Sequence, residues 1–261
     1  MKILVTGAAG SIGREIGRGL PALGHELRGL DLTAEPVPGY ALGWITGDCL
    51  DADVVDAAVR GVDAVVHLAG NPDEDALPAS LESHVHTTAH LLEAMVRHGV
   101  DHIAYASSNH AVGLTPHDGT LTTSTRPRPD TFYGVAKIAT EALLSLFCDR
   151  HPLTAVAMRI GSFGDRPSSV RELSTWLSPA DAVRMVDAAI RTSAPGYTVV
   201  YGTSDNTRGW WDLGPGRAIG FDPQDDAKDF AGTIWSRPSD DHENAFVGGP
   251  FAAPDFARSA F

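Results

Sequence analysis

The sequence contains few of the residues that several classes of protein require. Cysteine occurs only twice in 261 residues, at Cys49 and Cys148, far apart in the chain. Two such cysteines provide neither a disulfide framework nor a cysteine-based zinc cluster. We therefore expect a reducing, cytoplasmic environment for this protein.

Positive charge is scarce as well. The chain carries 20 lysines and arginines against 33 aspartates and glutamates, a formal net charge of −13. Only three of the basic residues are lysines: Lys2, Lys137 and Lys228. A protein that binds nucleic acid needs a basic face to displace counterions from the phosphate backbone. We therefore expect no nucleic-acid partner.

Long apolar runs and a charged leader are also missing. No apolar run in the sequence approaches the roughly 18 residues that a membrane-spanning helix needs. The chain passes from Met1 and Lys2 directly into an apolar segment, without a cleavage site of small residues. We expect neither secretion nor a membrane span. The hydrophobic fraction of 43% is nevertheless sufficient for a substantial core.

The sequence does contain a regular alternation of short β-branched runs and longer amphipathic stretches. This pattern is typical of a parallel sheet with crossover helices. The predicted strands are residues 3–6, 26–30, 43–46, 64–68, 102–107, 156–160 and 198–201. The predicted helices are residues 11–23, 52–60, 77–98, 131–150 and 179–191.

These elements predict an α/β fold, a Rossmann-type doubly wound parallel sheet with a small C-terminal substrate-binding extension. We expect residues 1–165 to form a core of dinucleotide-binding type, since doubly wound sheets bind nucleotides at the carboxyl ends of their strands. We expect residues 166–261 to form a small substrate-binding and C-terminal region that folds onto the core as one compact unit.

A glycine-rich loop follows the first predicted strand, with glycines at Gly7, Gly10 and Gly13. Glycine at a strand-to-helix turn allows backbone N–H groups to approach a pyrophosphate, and the helix N-terminus favours the negative charge. We include Ser11 and Ile12 of the same loop in the predicted cofactor site. Taken alone, such a turn could also be purely structural.

Acidic residues at the ends of the next two strands extend this site. Asp31 lies 18 residues after Gly13, close to the offset of a carboxylate that binds ribose hydroxyls and repels a 2′-phosphate. It predicts NAD rather than NADP. Asp48 is placed to contact the adenine amino group, with an ordinary turn aspartate as the alternative. Three residues after the fourth strand complete the predicted cofactor site: Leu68, Ala69 and Gly70.

Tyr133 and Lys137 lie four residues apart, and therefore on one face of a predicted helix. Oxidation of an alcohol requires a base for the hydroxyl proton, and a free tyrosine with a pKa near 10 is a poor base at neutral pH. A nearby ammonium favours the phenolate. Lowering the pKa by about three units corresponds to roughly 4 kcal/mol. The pair predicts removal of a hydroxyl proton beside a nicotinamide.

The glycine loop, Asp31, Ser108 and the Tyr133/Lys137 pair together resemble the extended short-chain dehydrogenase/reductase superfamily over about residues 1–165. Within that superfamily the chain is most similar to bacterial uronate dehydrogenases, and this likeness spans nearly the whole sequence. Four segments carry it: residues 107–110, 159–162, 171–176 and 209–212.

The resemblance implies NAD-dependent oxidation of the C1 hydroxyl of a hexuronate, glucuronate or galacturonate, to an aldarolactone. It implies Tyr133 as the general base, Lys137 as its activator and ligand of the nicotinamide ribose, and Ser108 as the hydroxyl that positions the substrate oxygen. It implies that the sugar is held by Ser108, Asn109, His110, Ser162 and Arg171. For Arg171 there is also an independent reason, because a guanidinium pairs bidentately with a carboxylate. We expect a homo-oligomer.

Two positions depart from the pattern of the resembled family. Pro72 stands where uronate dehydrogenases usually have a serine that contacts the sugar, and His84 stands where extended members usually have an asparagine. His84, His86 and His90 also have a spacing that suits a metal, but the resembled chemistry needs none and we expect none. The C-terminal tryptophans are predicted to pack in the core of their region: Trp176, Trp210 and Trp211.

Other functions remain as alternatives. A nucleotide-sugar epimerase or dehydratase uses the same tyrosine, lysine and NAD, but such enzymes usually have a larger C-terminal region than the 96 residues that follow Asp165. A dehydrogenase could also act on a different sugar. A non-enzymatic, NAD(H)-sensing regulatory protein would have no need of the Tyr133/Lys137 pair.

Overall fold

The computed structural model describes residues 1–34, 36–256 and 258–261. The strands are β1 (Lys2–Thr6), β2 (Glu26–Asp31), β3 (Gly43–Thr46), β4 (Ala64–His67), β5 (His102–Ser108), β6 (Thr154–Ile160), β7 (Ser162–Phe163), β8 (Trp176–Leu177) and β9 (Gly196–Gly202). Seven of them form one parallel sheet in the order β3-β2-β1-β4-β5-β6-β9, and β7 pairs with β8 separately. The strand order reverses beside β1, so the predicted doubly wound sheet is confirmed.

The helices are α1 (Ser11–Gly19), α2 (Ala52–Val59), α3 (Leu77–Leu81), α4 (Thr87–His98), α5 (Phe132–Arg150), α6 (Glu172–Thr175), α7 (Pro179–Arg191), α8 (Gly214–Ala218) and α9 (Asp240–Glu243). Side-chain caps fix where the two longest, α5 and α7, start. Thr131 Oγ1 accepts a hydrogen bond from Gly134 N (2.9 Å) before α5, and Ser178 Oγ accepts one from Asp181 N (2.9 Å) before α7. Among the described helices, none has the length and apolar character needed to cross a membrane.

Residues 77–98 are helical, as predicted, but they are not α-helical throughout. The chain forms α3, then a π-helical turn (Glu82–His86), then α4. Beside this turn the Ser83 carbonyl accepts a hydrogen bond from the Thr87 hydroxyl (2.7 Å), and the His84 carbonyl accepts one from the Thr88 hydroxyl (2.6 Å). Such turns occur frequently at functional sites, and apolar periodicity does not reveal them. The strands β7 and β8 were not predicted, because two residues are too few to show an alternating apolar pattern.

The central sheet is buried on both faces, as a doubly wound fold requires. Along β1, Ile3 packs in a cluster with Ile16 of α1 and Met185 of α7. Leu4, the next residue, packs on the opposite face with Leu91 of α4. All five side chains are fully buried, and each such burial stabilises the fold by about 1.5–3 kcal/mol. This rigid sheet sets the positions of the loops at its carboxyl edge.

The C-terminal region packs onto the core through aromatic clusters. Trp210 and Trp211 stack with ring centroids 5.2 Å apart, and both pack with Tyr201 of β9 and with Val247. Trp176 lies in a separate cluster with Leu173. The predicted packing role of the three tryptophans is therefore confirmed.

Candidate active site

A cavity of about 750 Å³ opens at the carboxyl edge of the sheet, a volume within the range typical of small-molecule sites. It lies where the strand order reverses, which is where doubly wound folds bind ligands. The cavity is lined by all the residues predicted to bind the cofactor: Gly7, Gly10, Ser11, Ile12, Gly13, Asp31, Asp48, Leu68, Ala69, Gly70, Tyr133 and Lys137. Ser108 lines it too, whereas four predicted sugar ligands lie outside its wall: Asn109, His110, Ser162 and Arg171.

The glycine loop is shaped by close backbone approaches. Gly7 has φ +68°, a conformation that favours glycine, and its N–H donates to the carbonyl of Leu30 (2.9 Å). A Cβ at Gly7 would lie 2.7 Å from the backbone nitrogen of Ala69. The glycine loop thus packs closely between the ends of β2 and β4, at the N-terminus of α1. This geometry leaves backbone amides available for an anionic group.

Asp31 holds the glycine loop as well as facing the cavity. Its Oδ2 accepts a hydrogen bond from Ala9 N (2.8 Å), and its Oδ1 accepts one from Thr33 N (2.9 Å). A carboxylate oxygen has two lone pairs, so both oxygens retain acceptor capacity for hydroxyl groups. Asp48 accepts a hydrogen bond from Leu50 N (2.9 Å) and thus forms an ordinary turn at the cavity wall.

Lys137 and Tyr133 share one end of the cavity. Lys137 Nζ donates to the carbonyl of Ala106 (2.6 Å) and lies 5.1 Å from the centroid of the Tyr133 ring. Burial raises the pKa of Tyr133 to about 12, while interaction with the Ser108 hydroxyl lowers it. Burial also lowers the pKa of Lys137 to about 7. The expected lowering of the Tyr133 pKa is therefore not a property of these side chains alone. Desolvation outweighs the effect of the Ser108 hydroxyl, and burial also favours the neutral form of Lys137.

The two adjacent serines at the end of β5 have different environments. Ser107 Oγ donates to Glu141 Oε1 (2.5 Å), and Glu141 forms a buried bidentate ion pair with Arg159 (2.7 and 2.9 Å). Ser108 Oγ accepts from His110 N (3.2 Å) and donates to Asn109 Oδ1 (3.3 Å). Ser107 thus joins α5 to β6 through the Glu141–Arg159 pair, whereas the Ser108 hydroxyl lowers the pKa of Tyr133.

His110 lies between Tyr133 and a buried carboxylate. Its Nδ1 donates to both oxygens of Asp130 (2.9 and 3.0 Å). Its ring meets the rings of Tyr133 and Phe251 edge to face, at centroid distances of 5.9 and 5.0 Å. Since Nδ1 carries the proton, the neutral imidazole presents Nε2 as an acceptor.

Arg171 is only 8% exposed and has no carboxylate within ion-pair distance among the described residues. Its Nη1 donates weakly to Ser162 Oγ (3.5 Å), its Nη2 donates to the carbonyl of Val247, and its Nε is buried without a hydrogen-bond partner. Burial lowers the pKa of Arg171. A buried guanidinium with spare donors is suited to an anionic ligand.

His84 packs against Tyr133 instead of joining a metal site. The two rings meet edge to face at a centroid distance of 5.1 Å, and His84 Nε2 donates to the carbonyl of Asn71 (3.0 Å). Burial lowers the pKa of His84 to about 2, so the imidazole is neutral. His90 Nδ1 instead donates a hydrogen bond to the carbonyl of Cys49 (3.1 Å). Within the part of the chain that the structure describes, no three His, Cys, Asp or Glu side chains are arranged to hold a metal.

Sequence reasoning missed two acidic residues beside Tyr133. Glu74 accepts hydrogen bonds from the backbone N–H groups of Phe132 (2.9 Å) and Tyr133 (3.0 Å), and Asp130 orients His110. Asp130 stands just before the cap residue of α5, a position where acids are common, and this signal could have identified it. Glu74 lies between two other acids in a turn, and nothing in that pattern marks it.

Comparison with known proteins agrees with this geometry. The chain matches the NAD dependent epimerase/dehydratase family over residues 3–210. A uronate dehydrogenase of Pseudomonas putida is 35% identical over 96% of this chain and 95% of its own length, and one of Agrobacterium fabrum is 36% identical over 99% of both. A crystal structure of a uronate dehydrogenase mutant from Agrobacterium tumefaciens, complexed with NAD, is similar with a TM-score of 0.91 at 33% identity over 99% of both chains.

Proposed function

Since this chain belongs to the NAD dependent epimerase/dehydratase family, we propose that it is an NAD-dependent dehydrogenase that oxidises the C1 hydroxyl of a hexuronate to the aldarolactone. The resemblance drawn from the motifs is confirmed by the family match and by the likeness to uronate dehydrogenases. The observation that carries the substrate class is Arg171, a buried guanidinium with spare donors and no carboxylate partner among the described residues.

The cofactor half of the site fits NAD. The backbone amides of the glycine loop at the N-terminus of α1 bind the pyrophosphate, and Asp31 accepts hydrogen bonds from the ribose hydroxyls. The cavity end formed by Tyr133 and Lys137 receives the nicotinamide ribose. When bound, NAD⁺ supplies the hydride acceptor and a positive ring charge that favours the Tyr133 phenolate.

The protein's own residues handle the proton. Ser108 holds the C1 oxygen and shares a hydrogen bond with the phenol, which is consistent with its lowering effect on the Tyr133 pKa. Tyr133 takes the hydroxyl proton as the base. Lys137, fixed by the Ala106 carbonyl, stabilises the phenolate in the fraction of molecules in which it is charged.

The substrate half is formed by the ends of β5 and β6 and by the C-terminal region. We assign the carboxylate of the sugar to Arg171 and its hydroxyl groups to Asn109, His110 and Ser162. Because Pro72 offers no hydroxyl, this protein has one polar contact fewer than a site with serine at that position. We propose that residues 166–261 complete the substrate-binding side through Arg171, and that residues 1–165 form the NAD-binding core and supply the other sugar ligands. We further propose that the enzyme works in the cytoplasm as a homo-oligomer.

A substrate panel tests this function. Absorbance at 340 nm is followed after mixing the protein and NAD⁺ with glucuronate, galacturonate, glucose, galactose or UDP-glucose. Turnover confined to the uronates is expected, and Tyr133→Phe should lose it while still binding NAD⁺. A rise in absorbance with UDP-glucose alone would favour a dehydrogenase of nucleotide sugars. An epimerase returns the hydride to its substrate in each cycle and would give no net absorbance. Inactivity on every sugar would refute the proposal.

A further inference from the structure

We propose that Glu74 is a positioning residue for Tyr133. Residues 71–74, which we call the brace, connect the start of α5 to the π-helical turn that carries His84. The brace fixes the backbone of Tyr133 through Glu74 and its ring through His84. Its catalytic consequence rests on the proposed role of Tyr133 as the base.

Glu74 completes the N-terminus of α5. The first N–H groups of a helix have no partner within the helix. Here Glu74 Oε1 accepts from Phe132 N (2.9 Å) and Oε2 accepts from Tyr133 N (3.0 Å). The next two N–H groups, of Gly134 and Val135, are bonded to the Thr131 hydroxyl (2.9 Å) and carbonyl (3.0 Å). A carboxylate at this end is also favoured by the helix dipole. Glu74 thus holds the catalytic turn of α5 from outside the helix.

The other end of the brace holds the ring of Tyr133. Asn71 N donates to Ser83 Oγ (2.7 Å), and the Asn71 carbonyl accepts from His84 Nε2 (3.0 Å). This second bond orients the imidazole that meets the phenol ring edge to face at 5.1 Å. The same short segment therefore restrains both the backbone and the side chain of Tyr133.

The brace is in turn anchored to the cofactor side by a buried hydrogen-bond chain. Thr88 Oγ1 donates to the His84 carbonyl (2.6 Å), so His67 Nε2 must donate to Thr88 Oγ1 (3.0 Å). His67 Nδ1 then accepts from Thr6 Oγ1 (2.7 Å), just before the glycine loop. Burial lowers the pKa of His67 to about 3, so the whole chain stays neutral near pH 7. Tyr133 and the cofactor loop are thereby held in one network.

Such positioning should affect the chemical step more than binding. A misplacement of about 1 Å can reduce a rate by roughly 100-fold, because the reacting atoms lose their alignment. Glu74 does not line the cavity, so its loss leaves the surfaces that contact NAD and the sugar in place. We therefore expect kcat to fall while the KM for NAD⁺ stays unchanged.

Three variants test the brace by kinetics. Glu74→Ala should lower kcat with uronate by about 10- to 100-fold. Glu74→Gln keeps one acceptor oxygen and should lose less. Asp73→Asn is the matched control, since it removes the same charge from an exposed neighbour whose side chain makes no hydrogen bond among the described residues, and it should behave as wild type. The proposal would be overturned if Glu74→Ala had the kcat of the wild type. It would also be overturned if Asp73→Asn and Glu74→Gln lost kcat to the same extent.

A readout without substrate separates this proposal from the proposed function. Amide hydrogen exchange measured by NMR should become faster at both Phe132 and Tyr133 in Glu74→Ala. It should become faster at one of these amides or at both in Glu74→Gln, which keeps one acceptor oxygen, and at neither in Asp73→Asn. Unchanged exchange at both amides in the two Glu74 variants would refute the brace even if uronates are oxidised. Faster exchange in a protein that oxidises no uronate would support the brace and reject the function. If Glu74→Ala does not fold, Glu74→Gln still decides the outcome.

Discussion

The buried carboxylate of Asp130 accepts a hydrogen bond from His110 Nδ1 at 2.9 Å. This contact fixes the ring so that Nε2 faces away from Asp130. His110, a proposed sugar ligand, therefore presents Nε2 as a hydrogen-bond acceptor. This contact also accounts for an acid beside a site proposed for an acidic substrate.

Replacing Asp130 by Asn should weaken uronate binding by releasing His110. A hydrogen bond to a charged group contributes about 1.5–3 kcal/mol, which corresponds to roughly 10- to 100-fold in kcat/KM. Steady-state kinetics should show this loss with uronate, with the KM for NAD⁺ unchanged. A parallel rise in the KM for NAD⁺ would instead indicate a general disturbance of the site.

Replacing Arg171 should discriminate between acidic and neutral sugars. Removal of one partner of a buried charge pair costs about 2–5 kcal/mol, so Arg171→Ala should raise the KM for uronate by about 30-fold or more. Arg171→Lys keeps the charge without the planar fork and should have a smaller effect. Arg166, which is exposed and nearby in sequence, provides the control variant Arg166→Ala. An equal effect on any neutral sugar that is turned over would exclude the carboxylate role.

Asp31 should determine the choice between NAD⁺ and NADP⁺. Asp31→Asn removes the charge that repels a 2′-phosphate, so the preference for NAD⁺, measured as the ratio of kcat/KM values, should fall by at least about 10-fold. Asp48→Asn is a suitable control, because Asp48 also lines the cavity but is predicted to contact the adenine. It should change the values for both cofactors alike and leave their ratio intact.

Lys137 should make the stability of the ligand-free protein depend on pH. Its pKa is about 7 in the folded protein and 10.5 ordinarily. Between these values the unfolded chain binds a proton that the folded protein does not, so stability increases with pH. Relative to Lys137→Met, the free energy of unfolding of the wild type should rise by about 1.4 kcal/mol per pH unit between pH 7 and 10. Urea unfolding across this range measures it, and a constant difference would contradict the shifted pKa.

The sequence predicted the sheet and the cofactor half of the site because both depend on local patterns. A glycine loop is recognisable from its spacing, and Asp31 from its offset after that loop. The Tyr133/Lys137 pair follows from helical geometry. Every residue assigned to the cofactor from these patterns lines the cavity.

The parts that local patterns could not predict depend on contacts between distant segments. Glu74 meets Tyr133 across 59 residues and lies in a turn that resembles any solvated acidic turn. At the π-helical turn between α3 and α4, the hydroxyls of Thr87 and Thr88 bond the carbonyls of Ser83 and His84, and those threonines fit a regular α-helix equally well in sequence.

The sequence by itself thus determined the doubly wound fold, the position of the cofactor loop and the pairing of Tyr133 with Lys137, because these depend on residue spacing along regular elements. Only the tertiary structure decided the electrostatics of the pair. Burial, which spacing does not reveal, raises the pKa of Tyr133 to about 12 and lowers that of Lys137 to about 7. Tertiary contacts also bury Arg171 without a carboxylate partner among the described residues. This burial is the observation that supports an acidic sugar as the proposed substrate.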